Sequence, residues 1–118
     1  MTYDTTFTSA ILFPFANRIK DGKYSFDSKN FQLDRNQQEE KNALHGLIYN
    51  KTFTVLSNEI AKSEVKITLG YNETKKHMGF PFTYFVSVTY TFTKEDLSVK
   101  VNIKNTDTCT FPFTLGWH

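Results

Sequence analysis

The sequence predicts an all-β chain of antiparallel strands, and three observations carry that prediction. Phe82, Tyr84, Val86, Val88, Tyr90 and Phe92 alternate with more polar residues, and after Lys94-Glu95-Asp96 so do Leu97, Val99, Val101 and Ile103. Period-2 alternation puts one set of side chains on one face of a strand, so this is a long hairpin with one wet face. Aromatic residues make up 16% of the 118 residues, with twelve Phe and six Tyr, and threonine is plentiful. These types suit a pleated, half-buried surface. Finally, the five Gly and three Pro fall between such runs, as turn punctuation does, and no window holds a helical period.

The remaining elements follow in chain order. Residues 23–33 read as a hairpin after the Asp21-Gly22 turn: Tyr24 and Phe26 alternate outward, Asp27-Ser28-Lys29-Asn30 turns, and Phe31 and Leu33 alternate on return. Residues 34–42 are polar throughout and predict a loop. Residues 52–69 predict a second strand pair, with Phe53 and Val55 on one arm and Val65, Ile67 and Leu69 on the other. All three prolines sit in Phe-Pro-Phe, at Phe13-Pro14-Phe15, Phe80-Pro81-Phe82 and Phe111-Pro112-Phe113. Proline keeps the preceding residue extended and cannot donate to a ladder, so these predict strand entries or edges with core-packed aromatic flanks, one of which has the option of lining a pocket. No linker separates these elements, and the whole chain, 1–118, reads as one domain, which the resemblance described below implies is partial.

Charge and composition exclude several classes. Fourteen basic against twelve acidic residues, with only two Arg, make too weak a footprint for nucleic acid. No apolar run approaches the ~20 residues of a membrane span. Met1-Thr2-Tyr3-Asp4 does not open a signal peptide. With the lone thiol of Cys109, this predicts a cytoplasmic protein. Three histidines in separate segments, with no thiol or acid at short spacing, predict no metal site.

A few residues stand out chemically. Arg18, in the tract Phe13–Ile19, offers five fixed donors that suit paired hydroxyls, or else caps a strand or pairs with an acid. Asn17 beside it suits a ligand or a turn. His45 opens an apolar run next to Gly46, whose freedom allows a positive φ or a close approach to a ligand; the histidine is functional or a hydrogen-bonded structural one. His118 reads either as a frayed end or, beside Trp117, as part of a site, since tryptophan favours burial or a sugar face.

Taken jointly, Ala10–Ile19 with Asn17-Arg18-Ile19, Asn42-Ala43-Leu44-His45-Gly46, Gly79-Phe80-Pro81-Phe82 and Leu115-Gly116-Trp117-His118 resemble, in order and spacing, the aldose 1-epimerase (galactose mutarotase) family from about residue 7 to the end. The resemblance implies a large antiparallel β-sandwich, incomplete in this chain, that holds a free hexose such as galactose or glucose in a cleft. It implies an isomerase that interconverts α and β anomers by acid–base ring opening without a cofactor. His118 would be the acid at the ring oxygen and His45 its catalytic neighbour, with Arg18 and Asn17 binding hydroxyls. The family's glutamate base has no match here, which predicts a truncated piece, inactive alone and prone to self-association through exposed sheet edges. The alternatives are a hexose-6-phosphate 1-epimerase, which would need a cationic phosphate site, and a non-catalytic carbohydrate-binding or assembly protein.

Overall fold

A computed structural model describes residues 3–118, with side chains from Thr5 onward. Met1 and Thr2, on which the signal-peptide expectation partly rests, lie outside the described residues. The chain is almost wholly antiparallel β-structure, as the alternation predicts. Its order is a helical turn α1 (Tyr3–Thr6), β1 (Ile11–Leu12), β2 (Arg18–Ile19), a 3-10 turn (Lys20–Gly22), β3 (Lys23–Phe26), β4 (Lys29–Gln32), β5 (Ala43–Leu44), β6 (Thr54–Ile60), β7 (Val65–Glu73), β8 (Tyr84–Phe92), β9 (Leu97–Asn105) and β10 (Gly116–Trp117). Among the described residues, no helix is long and apolar enough to cross a membrane. The contacts resolve into two compact units, Met1–Lys51 with Lys76–Phe82 and Cys109–His118, and Thr52–Lys75 with Thr83–Thr108.

The second unit is a four-stranded meander in the order β6-β7-β8-β9. The predicted long hairpin is its β8–β9 pair, in register from Tyr84↔Asn105 to Phe92↔Leu97. At its turn Thr93 N–H donates to the Asp96 carbonyl (2.9 Å), and the Thr93 hydroxyl accepts from Asp96 N–H (2.9 Å). The strand starts two residues later than the alternation suggests, because Phe82 belongs to the first unit. Burial along β8 is graded: Tyr84, Val86 and Val88 are buried, whereas Phe92 is 43% exposed. Alternation sets the face of a side chain and not its depth. On β7 the Glu73 carboxylate is buried and accepts from the Tyr71 hydroxyl (2.6 Å) and from Lys75 N–H (3.0 Å). Burial, with the Glu73 charge, raises the Tyr71 pKa.

The first unit is built from short two-stranded ladders around an aromatic core. β1 pairs with β10, β2 with β5 and β3 with β4. Residues 23–33 do form a hairpin, but its turn is tighter than the sequence suggests. Only Asp27 and Ser28 lie between the strands, both at positive φ (50° and 59°), and Lys29 already pairs with Phe26. Two successive left-handed residues match the twist of the flanking strands, which favours a two-residue loop over a four-residue one. The Phe-Pro-Phe flanks pack as predicted at five of six positions: Phe13, Phe15, Phe80, Phe82 and Phe111 are buried. Phe13, fully buried, meets Phe80 and Phe111 edge-on at 6.4 and 6.3 Å. Phe113, 51% exposed, is the exception.

Gly46 lets the chain cross this core. It sits at φ +81°, and a Cβ there would lie 2.7 Å from the Phe13 carbonyl carbon and 2.9 Å from its nitrogen. The next residue uses that approach: Leu47 N–H donates to the Phe13 carbonyl (2.8 Å). The close approach is thus to the chain's own backbone. A Gly46→Ala chain adds both left-handed strain and a collision, each on the order of 1–3 kcal/mol. It is expected to unfold at clearly lower denaturant than the unsubstituted chain, whereas an unchanged midpoint would remove this account of Gly46.

Candidate functional site

The residues singled out in the sequence lie on two separate ladders of the first unit. Arg18 is on β2, opposite Leu44 of β5, so His45 follows directly on the partner strand. His118 follows β10, whose Trp117 and Gly116 pair with Ile11 and Leu12 of β1. The chain end is anchored there and is not frayed: His118 N–H donates to the Ala10 carbonyl (3.0 Å), and the Trp117 indole Nε1 donates to the Ser9 carbonyl (3.1 Å). Trp117 keeps 54% exposure despite that bond.

These ladders bring the two imidazoles together, edge to face, with ring centroids 5.2 Å apart. Asn17 and His45 bind each other twice. His45 N–H donates to the Asn17 carbonyl (3.0 Å), and Asn17 N–H donates to His45 Nδ1 (3.2 Å). Both residues are at positive φ, 67° and 62°. Positive φ is uncommon for any residue but glycine, even for Asn and His, which enter that region more readily than most, so the pair of bonds holds a backbone that propensity alone would not choose. Since Nδ1 accepts, a neutral His45 carries its proton on Nε2 and presents that N–H as a donor. Asn17 also fixes its neighbour: Arg18 Nη1 donates to Asn17 Oδ1 (3.2 Å).

Several contributors were not legible as site residues. Gln37 Oε1 accepts from Arg18 Nε (3.0 Å). Asn36 clamps β5, accepting from Leu44 N–H (2.7 Å) and donating to the Leu44 carbonyl (2.9 Å). Both come from the polar segment 34–42, which is a loop as predicted but is stitched to β5. Phe7, just after α1, lies 4.8 Å from the His45 ring and 5.9 Å from the His118 ring, centroid to centroid. Its only sequence signal is an aromatic residue near an otherwise polar terminus.

The electrostatics favour a neutral His45. Partial burial, then the neighbouring His118 and the Arg18 guanidinium, all lower its pKa from 6.5. The folded state therefore binds that proton less readily than the unfolded chain. The stabilisation is fully present above about pH 6.5 and is lost as pH falls through the lowered folded value. Proton NMR of the imidazole signals should give His45 a midpoint below 6.5, and a midpoint at or above that value would contradict the arrangement.

With this geometry in hand, comparison with known proteins places the chain. A sequence profile of the aldose 1-epimerase family matches residues 1–118. The chain is similar to two uncharacterized proteins of Escherichia coli K12, YihR and YphB, at 28% identity over 109 and 107 residues, or 92% and 91% of this chain. It spans about a third of their length, 34% in each case. Among solved structures, a galactose mutarotase-like protein from Clostridium acetobutylicum superposes with a TM-score of 0.86 at 22% identity, covering 98% of this chain and 36% of that one. Galactose 1-epimerase from Lactobacillus acidophilus superposes with a TM-score of 0.70 at 15% identity, covering 87% and 32%. These likenesses establish a galactose mutarotase-like fold, and the profile match establishes the family: the chain belongs to the aldose 1-epimerase family.

Proposed function

We propose that this chain is the sugar-contacting part of a longer aldose 1-epimerase that interconverts the α and β anomers of a free hexose such as galactose or glucose. The observation that supports it most is the meeting of Arg18, Asn17, His45 and His118 in one place, although they come from two ladders and from widely separated parts of the chain. Donors dominate that set, which is what a polyhydroxyl ligand with a reacting ring oxygen requires.

In this reading a base removes the proton of the anomeric hydroxyl while His118 delivers one to the ring oxygen. The bond from C1 to the ring oxygen breaks, and the electron pair of the anomeric O–H becomes the second C–O bond of an aldehyde. Rotation about C1–C2 presents the other face, and the reverse transfers close the ring. His45, with its proton on Nε2, donates toward an oxygen beside the reacting centre. Arg18 binds hydroxyls and stabilises negative charge as it develops. The general base comes from outside these 118 residues, which is in keeping with relatives about three times as long.

Polarimetry of freshly dissolved α-galactose or α-glucose tests this. The 118-residue chain is expected to leave the spontaneous rate essentially unchanged. A longer protein containing it should accelerate mutarotation and lose about 10²–10⁴-fold on His118→Ala. Robust turnover by the 118 residues alone, or full activity of the longer His118→Ala protein, would overturn the assignment.

A further inference from the structure

Arg18 is held in an unusual way for an arginine beside a site. Its Nε donates to Gln37 Oε1 (3.0 Å) and its Nη1 to Asn17 Oδ1 (3.2 Å). Both acceptors are neutral carboxamides. Among the residues whose side chains are described, no carboxylate pairs with Arg18. A guanidinium has five N–H donors, so two are spent on orientation and three remain for a ligand. A carboxylate at either place would hold the same plane more strongly, but would also spend the charge.

Gln37 is itself fixed. Its backbone exchanges two hydrogen bonds with Asn42, Gln37 N–H to the Asn42 carbonyl (3.1 Å) and Asn42 N–H to the Gln37 carbonyl (3.2 Å). The neighbouring Asn36 is bound to the backbone of Leu44 on β5, the residue opposite Arg18. The loop thus references Gln37 to the same strand that presents His45. The half-buried Gln37 side chain approaches Arg18 from a segment with three acidic residues, Asp34, Glu39 and Glu40, yet an amide stands at the contact.

We infer that Gln37 is a positioning residue, one that orients the Arg18 guanidinium while leaving its positive charge undivided for an electron-rich oxygen of the ligand. This rests on the sugar-site reading above for the nature of that ligand. It accounts for a neutral amide where an acid would bind arginine more tightly. The same undivided charge acts on His45, whose protonation Arg18 opposes.

The test compares Gln37→Glu and Gln37→Ala with the unsubstituted chain by NMR, without sugar and then with galactose. Gln37→Glu is expected to keep the Arg18 Nε–H protected from water while the His45 midpoint moves up, because the new carboxylate offsets the Arg18 charge. Gln37→Ala is expected to speed Nε–H exchange roughly tenfold, as loss of one hydrogen bond does, with a smaller change at His45. A purely structural glutamine would not separate the two readouts in this way. Nε–H exchange unchanged in Gln37→Ala, or a His45 midpoint unchanged or lowered in Gln37→Glu, would overturn the inference. Failure of the sugar reading shows separately, as galactose moving no Arg18 or His45 signal in the unsubstituted chain.

Discussion

The site depends on one small knot, the double hydrogen bond between Asn17 and His45. It joins segments 28 residues apart, and both residues take the left-handed backbone that lets them face each other. From that knot the other positions follow. Arg18 is the next residue after Asn17 and takes part of its orientation from the Asn17 side chain. Gly46 is the next residue after His45 and carries the chain across Phe13 at a distance that only glycine permits. Two consecutive pairs, Asn17-Arg18 and His45-Gly46, therefore divide the labour: one member of each holds the backbone while its neighbour faces the site or the core.

Support for the knot is built from amides and aromatic rings, with little charge. Asn36 and Gln37 bind β5 and Arg18, and Phe7 walls both imidazoles. A net hydrogen bond contributes only about 0.5–1.5 kcal/mol, so no single one of these contacts carries the site. Their collective effect is to leave two groups in useful states: an arginine oriented by two neutral carboxamides, and a histidine favoured neutral with a defined donor.

Much of the fold was legible because period-2 alternation is a local property, and β7, β8 and β9 are long enough to display it. What failed was set by longer-range or finer geometry. The Asp27-Ser28 turn is shorter than the polar run around it, because two left-handed residues suffice to reverse the chain. Phe92 and Phe113 are exposed although their patterns match those of buried neighbours, since depth depends on what else packs nearby. At the site, the Asn17, Arg18, His45 and His118 islands stood out by chemistry and by family resemblance. Gln37 and Asn36 did not, because a glutamine in a polar loop looks solvated until the strand it binds has been located. The tautomer of His45 was equally hidden, since it is set by a backbone N–H 28 positions away.

The most direct measurement of the central claim is the protonation state of the two His45 nitrogens above neutral pH. Long-range proton–nitrogen correlation in the labelled chain reads it without a ligand. The account predicts a protonated Nε2 and an unprotonated Nδ1, with a hydrogen-bond coupling from Nδ1 to the Asn17 amide. A proton resident on Nδ1, or an Asn17 amide that exchanges as freely as a solvent-exposed one, would mean that the knot does not hold the site.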